Sequence, residues 1–407
     1  MKELAIGNFI LYLCSMRIVF LLSKWPVDGG IETVSRTLSN EFAARGHKVY
    51  VLYTDYFCPP NNSPFVDRRI VSRLIPRDGN ECSKFDVAKK FIDNFVLDEK
   101  IDVLINQCFP TWSSYIFRDI KGKVKIIECL HMTLFYPSSY HRLRWTGFDL
   151  KMRLCGPIVY NYFQKKWRCE SLMREFPYVD RFVFLSKSFV SEFLRFTKYN
   201  NVNGKVIWMN NPLSFQSNDY NESDIGEKSN YILCVARLSE TEKRISYMLA
   251  VWKSIEEDRR FDDWIFDVVG DGPSASEYKQ IAVKLGLRRV CFHGYQTPDL
   301  YYRRAKISLM TSVAEGLPMT LVESQYYGVV PLVMNTFSSV NDIIDNGVNG
   351  IIVPESKRKF LKALKYLMLH NKSRQLMACA AMKSSRRFTV GNIAKQWEDM
   401  IDNIKLN

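Results

Sequence analysis

Two carboxylates, Glu315 and Glu323, bracket the segment Glu315-Gly316-Leu317-Pro318-Met319-Thr320-Leu321-Val322-Glu323. An apolar run over 307–310 with the composition of a strand leads into it, and a helical pattern over 321–327 leads out. The acids therefore flank a Gly/Pro turn and a helix start at the carboxyl end of a strand, where open α/β sheets bind ligands. Free backbone N–H groups at a helix start attract an anion, aided by the positive end of the macrodipole. The turn through Gly316, Leu317, Pro318, Met319 and Thr320 thus offers backbone donors to one end of a ligand, and the flanking carboxylates accept hydrogen bonds from its hydroxyls. That combination suits a nucleotide sugar. A plainer reading of the same residues is open. Thr320 and Glu323 have the T-x-x-E spacing of a helix capping box, worth about 1 kcal/mol, and Glu315 would then be a loop acid.

Arg237 and Lys243 flank the exit of another apolar run, in Ala236-Arg237-Leu238-Ser239-Glu240-Thr241-Glu242-Lys243. At such an exit Arg can grip a diphosphate through its planar fork while Lys adds a compact charge, although exposure at the surface is the usual fate of both. No D-x-D occurs, so a metal bridging a diphosphate has no obvious ligand set and none is expected. His131 follows the apolar run 124–127, where an imidazole could bond a sugar hydroxyl or shuttle a proton; a lone His is more commonly a satisfied core residue. Gly29 and Gly30 stand between a strand and a helix, so their backbone can approach a ligand closely. They form no G-x-G-x-x-G, which argues against a dinucleotide oxidoreductase. His47, in Arg45-Gly46-His47-Lys48, reads as a cap of a helix-to-strand turn.

Positioning these groups requires strands whose ends converge, and the chain supplies the pattern twice. Strand 18–22, a helix carrying Ile31, Val34, Leu38 and Phe42 on one stripe, a stop at Gly46 and strand 49–53 make a βαβ unit, which predicts a parallel sheet. Further runs follow at 103–105, 124–127 and 182–185. A polar Asn/Ser/Asp-rich stretch over 214–230 reads as a linker, and alternation restarts with strands at 231–235, 265–269, 290–292, 307–310, 330–333 and 351–353. The expectation is an α/β protein with two Rossmann-like doubly wound domains facing a central cleft. They occupy 16–213 and 231–385, with an extension at 1–15, the linker at 214–230 and a final helix over 386–407. Clefts of this kind are favoured binding sites.

A formal charge of +14 favours anionic partners. Between residues 141 and 175 eight Lys/Arg face three acids, interleaved with Trp145, Phe148, Tyr160, Tyr162, Phe163 and Trp167. Such a stretch suits anionic lipid, the alternative being a solvated basic face. No nucleic-acid module accompanies the charge, so nucleic acid is not an expected partner. Ten cysteines without a C-x-x-C pair and five isolated histidines lack redox and zinc spacings, which points to reduced cytosolic thiols. No run is long and apolar enough to span a bilayer. Met16 reads as the natural start, or 1–15 as a loose peripheral anchor; the expected location is cytoplasmic, with peripheral contact at the inner membrane face.

Taken in chain order, Gly29-Gly30-Ile31-Glu32, Arg45-Gly46-His47, Val235-Ala236-Arg237-Leu238 with Lys243, Gly270-Asp271-Gly272, the E-x7-E element 315–323, Asn346-Gly347-Val348-Asn349-Gly350 and a tail with Trp397 resemble the retaining GT-B glycosyltransferases of family 4. The resemblance runs from Met16 to the end. It implies Glu323 on the donor's ribose hydroxyls, Glu315 with the backbone of 316–319 on the donor sugar, and Arg237 and Lys243 on the diphosphate. It also implies His131 on the sugar from the first domain and the Gly29-Gly30 loop beside phosphates and acceptor. The implied reaction is metal- and cofactor-independent transfer of a hexose or N-acetylhexosamine, with retention, from a nucleoside-diphosphate sugar to a glycan or lipid-linked glycan in cell-surface polysaccharide synthesis. Glu315 and His131 would be its catalytic residues. The C-terminal helix would cross back to the first domain through Ile393, Trp397, Met400 and Ile401. Ala236 stands where the family often has Gly, and 135–176 matches nothing distinctive, which leaves the acceptor open. The alternatives are an idle sugar-nucleotide-binding module, or a nucleotide-sugar hydrolase or epimerase on the same scaffold.

Overall fold

Two parallel sheets organise the chain, and the strand order of each decides where a ligand can sit. The computed structural model describes residues 15–27, 29–56, 65–76, 84–107, 116–133, 135, 150–201, 203–214 and 220–404. Nearly all of the expected extension, part of the expected linker and much of the basic aromatic stretch before 150 lie outside these residues.

The first sheet comprises β1 (Arg17–Trp25), β2 (Lys48–Tyr56), β3 (Val71–Leu74), β4 (Val103–Asn106), β5 (Lys125–Leu130), β6 (Arg181–Phe184) and β7 (Val206–Trp208), in the order β3-β2-β1-β4-β5-β6-β7. Ile18 pairs with Val49 on one side and Val103 on the other, so β1 is interior. Ile18 to Leu22 are all buried, the uninterrupted apolar run of a parallel strand covered on both faces. The connecting helix Gly30–Ala44 buries Val34, Leu38 and Phe42 and gives way to Gly46 at φ 93°, a conformation that favours glycine.

The second sheet comprises β8 (Tyr231–Val235), β9 (Ile265–Val269), β10 (Val290–Phe292), β11 (Ile307–Met310), β12 (Val330–Met334) and β13 (Ile351–Val353), in the order β10-β9-β8-β11-β12-β13. Strand order reverses beside the first strand of each sheet, between β1 and β4 and between β8 and β11. Ligands of open α/β sheets bind outside the carboxyl ends of the strands at that switch point. The expected strands are all present. Strands β3 and β7 were not anticipated: β3 is Val-Ser-Arg-Leu with its last two residues exposed, and β7 has three residues, so neither carries a period that can be read.

The chain divides into two compact units, residues 1–129 with 175–181 and 397–407, and residues 130–174 with 182–396. The helix Val390–Asp402 therefore begins in the second unit and ends in the first. Within the first unit its Glu398, 2% exposed, accepts from Arg45 Nη1 and pairs with His47 Nε2, each at 3.0 Å. His47 Nδ1 accepts from the Met16 N–H at 3.1 Å, which places the proton on Nε2 to donate to Glu398. His47 thus does more than close the turn through its backbone N–H to Phe42 O; its ring ties the start of β1 to the last helix. Ile393, Trp397 and Ile401 are buried as expected, but Met400 is half-buried, and Ala394 and Glu398 complete the covered face instead.

Candidate active site

The chain leaving β8 passes Ala236 and Arg237 into the short helix Glu240–Lys243, and the chain leaving β11 passes Thr311 on its way to Glu315. Hydrogen bonds stitch these two exits together. Thr311 Oγ1 donates to the Lys243 and Arg244 carbonyls at 2.9 and 3.0 Å, and the Val313 N–H donates to Glu242 O at 2.8 Å. Arg244, buried with φ 50°, returns a bond from Nε to Thr311 O at 3.0 Å. The stitching brings Lys243 Nζ to 2.5 Å from Glu315 Oε1, with the two side chains only 20% and 12% exposed. An ion pair shielded from water to that degree is stronger than one on the surface.

The β9 exit supports the same loop. A Cβ on Gly270, at φ 131°, would lie 1.9 Å from Ala236 O, and one on Gly272 would lie 2.6 Å from Leu238 O. Backbone therefore packs on backbone, and the Leu238 N–H donates to Asp271 O at 2.9 Å. Arg237 is left exposed on this supported turn, with no ion-pair partner among the described residues.

Gly316 has a comparable role. A Cβ there would lie 2.4 Å from His131 O, so only glycine lets the His131 backbone rest against the Glu315 loop. The structure thus joins His131 to the site within the second unit. Burial pushes the His131 imidazole down to about 4, so it is neutral near pH 7. Gly316→Ala should leave the second sheet folded but displace this loop from His131. The expected outcome is at least about a tenfold loss of turnover, since small misplacements of reacting groups are costly; unchanged steady-state rates would show that the contact is not needed.

The helix Met319–Tyr326 begins with Pro318 at the N-cap position and has no side-chain cap. Thr320 is its second residue, so the capping box allowed by the T-x-x-E spacing does not form. The Glu323 carboxylate instead bonds side chains from elsewhere in the chain: Oε2 accepts from the Tyr302 hydroxyl at 2.9 Å and Oε1 from Ser214 Oγ at 3.5 Å. No backbone acceptor meets the N–H groups of Gly316, Leu317, Met319 or Thr320 among the described residues. Tyr302 is fixed by stacking on Tyr327, with ring centroids 5.7 Å apart and planes at 9°, and its carbonyl accepts from Lys228 Nζ at 2.7 Å.

Glu323 is 8% exposed, and burial pushes its carboxyl up to about 7 against the lowering effect of its bonds to Tyr302 and Ser214. Hydroxyl donors from a ligand would stabilise the ionised form and release the proton. Affinity for a nucleotide sugar, whose diphosphate diester holds no proton in this range, should therefore rise with pH up to about 7 and then level off. The limit is about tenfold per pH unit, with up to one proton released on binding below 7. Calorimetry in buffers of different ionisation enthalpy reads this directly, and a flat profile would remove Glu323 from the binding step.

Residues Tyr302, Ser214, Arg244 and Thr311 carry no local signal in the sequence. Their partners lie 21, 109, 67 and 68 positions away. Gly29 and Gly30 sit in the first unit at the β1 exit, where Gly29 is the extended N-cap and Gly30 the first residue of its helix. A Cβ on Gly29 would lie 2.3 Å from Glu32 Oε2, so that carboxylate folds over the helix start. Asp267, Cys291 and His293 gather with ligand atoms within 4.8 Å, a grouping hidden in the sequence. Asp267 already accepts from Arg304 Nη2 at 2.5 Å and is hydrogen-bonded to His293 Nε2 at 2.7 Å, so its carboxylate is taken up by protein partners.

Sequence comparison agrees with this architecture. Residues 28–207 match the family described as Glycosyltransferase Family 4, and residues 215–384 match Glycosyl transferases group 1. A Campylobacter jejuni N-acetyl-D-galactosaminyltransferase, whose name specifies a diNAcBac-PP-undecaprenol-linked acceptor, is 23% identical over 234 residues, 56% of this chain and 62% of that protein. The amylovoran biosynthesis glycosyltransferase AmsD of Erwinia amylovora is 28% identical over 178 residues, 43% of this chain and 49% of that protein. The chain thus spans less than two thirds of these relatives. Among solved structures, Anabaena Alr3699/HepE with UDP-glucose superposes with a TM-score of 0.69 at 15% identity, covering 95% of this chain and 99% of that one. The fold and the switch-point loops define a GT-B protein. The two halves of the chain match two glycosyltransferase family models, and together they make a GT-B fold.

Proposed function

We propose that the protein transfers a hexose or N-acetylhexosamine, with retention, from a nucleoside-diphosphate sugar to a hydroxyl of a glycan or lipid-linked glycan during cell-surface polysaccharide synthesis. One observation carries the reading. The Glu315–Lys243 pair and the buried Glu323 lie at opposite ends of one uncapped helix start, beside the switch point of the second sheet. Glu323 takes the ribose hydroxyls, and the backbone of Gly316, Leu317, Met319 and Thr320 faces the donor's diphosphate and sugar, with Pro318 shaping the turn. Lys243 and the exposed Arg237 neutralise the leaving phosphate. Glu315 and neutral His131 flank the sugar.

An oxocarbenium-like transition state needs negative charge at the sugar and positive charge at the departing phosphate. Glu315 supplies the first and Lys243 the second, so the pair seen at 2.5 Å must separate around the donor. In a front-face reaction the acceptor oxygen bonds the anomeric carbon on the side the phosphate leaves, and that phosphate accepts the hydroxyl proton. This arrangement needs neither a metal nor another cofactor.

The basic aromatic stretch supplies a second contact. The helix Leu150–Glu175 exposes Val159, Tyr162, Phe163 and Trp167 at helical spacing beside Lys166 and Arg168. We propose that this face rests on anionic lipid at the inner surface of the membrane. No helix among the described residues is long and apolar enough to cross a membrane.

Thermal unfolding against UDP-, GDP- and ADP-sugars tests the donor reading. A true donor at about 100 times its Kd should stabilise by about 2.7 kcal/mol. Glycoside product formed only when an acceptor is added supports transfer, whereas sugar release without acceptor points to a hydrolase. Binding without any turnover points to an idle module.

A further inference from the structure

We infer that a second cavity in the same unit receives an anionic group of the acceptor, gripped by Lys165 and Arg195 against an aromatic wall. The inference rests on the transfer reaction proposed above. The cavity has a volume of about 470 Å³ and is lined by Phe135, Lys165, Glu192, Arg195, Phe196 and the turn Thr336-Phe337-Ser338. That turn follows β12, the neighbour of β11 in the sheet, and Thr336 Oγ1 donates to Ser312 O, three residues before Glu315. The cavity therefore adjoins the Glu315 loop without including any residue assigned to the donor.

Its chemistry differs from that of the donor site. Phe135 and Phe196 form one wall, with ring centroids 5.4 Å apart, and Lys165 Nζ lies 4.9 Å from the Phe135 centroid. The two rings are inclined at 58° to one another, and the face of either suits the apolar face of a sugar ring. Among the described lining residues two cations, Lys165 and Arg195, face one acid, Glu192. That carboxyl is hydrogen-bonded to Ser338, and burial raises it above the ordinary range. Asp342, the other acid near Glu192, is occupied by Ser186 Oγ at 2.5 Å and by the Ser188 N–H at 2.9 Å. Among the described lining residues the cations outnumber the acids by one, in a space large enough for a monosaccharide. A neutral sugar gives no reason for that surplus; a phosphorylated sugar or a uronic acid does.

The test uses the full chain and reads binding without nucleotide. Thermal unfolding is followed with N-acetylglucosamine 1-phosphate, galacturonic acid and methyl glucoside at millimolar concentrations, for the natural protein and for Lys165→Ala/Arg195→Ala. One of the anionic sugars should raise Tm, methyl glucoside should not, and the double variant should lose the shift. A response to the 1-phosphate alone assigns the group as phosphate, and one to galacturonate alone assigns it as carboxylate. Equal shifts with the neutral sugar, no shift with either anion, or a shift retained in the double variant would overturn the inference. Arg195→Lys should keep the response, which separates charge from folding. The double variant should also keep its response to the nucleotide sugar, so failure of this cavity and failure of the donor reading register in different arms.

Discussion

Glu323→Ala is expected to weaken nucleotide-sugar binding by about 100-fold while the protein remains folded. A carboxylate that accepts two ribose hydroxyls makes two charge-assisted hydrogen bonds, each worth about 1.5–3 kcal/mol. The lower end of that range sums to about 3 kcal/mol, or roughly two decades in Kd. Structural loss is small by comparison, because the side chain makes one good hydrogen bond, to Tyr302, and Tyr302 stays pinned by Tyr327 and Lys228. Glu323→Gln keeps the volume and can still accept from Tyr302, but it cannot ionise. Its loss should be smaller than that of the alanine variant, and the rise of affinity up to pH 7 should disappear. Calorimetric Kd values within twofold of the natural protein, measured on folded variants, would reduce Glu323 to a structural partner of Tyr302.

The sequence makes the ends of this site legible and hides its supports. Glu315, Glu323, Arg237 and Lys243 could be placed because apolar runs with strand composition precede them and glycines punctuate the exits. The T-x-x-E ambiguity could not be resolved that way. A shift of two residues in the helix start takes Thr320 out of the cap position and leaves Glu323 to bond Tyr302, and periodicity does not fix helix ends that closely. Only the position of Pro318 ahead of Met319, together with a tyrosine 21 residues back in the chain, decides the outcome. The pairing of Lys243 with Glu315 was equally out of reach, since 72 positions separate them and Arg244 and Thr311 align their loops through backbone atoms. The two sheets were readable from continuous apolar runs, whereas β3 and β7 were too short or too polar to show. The stretch 135–176 matched no family pattern, yet the structure draws Phe135 and Lys165 from it into one cavity.

The second large effect falls on Lys243. Its replacement by alanine should lower kcat by about 10²–10³, the loss typical when one preorganised donor to developing charge is removed. The partly buried position makes this effect larger than that of Arg237→Ala. Arg237 is exposed, so its charge is screened, and the expected loss is nearer tenfold and weaker still at high salt. Lys243→Ala also removes the partner that holds the Glu315 carboxylate in place, so that the carboxylate can swing away from the sugar. Two effects thus share one mutation, and a double-mutant cycle separates them. If Glu315 acts from a position that Lys243 holds, Lys243→Ala and Glu315→Gln should be strongly non-additive, the pair losing far less than the product of the single losses. If Lys243 serves only the phosphate and Glu315 only the sugar, the losses should multiply. A double variant showing the full product, with donor affinity unchanged, would mean that the 2.5 Å pair of the ligand-free site plays no part in holding Glu315 in position during transfer.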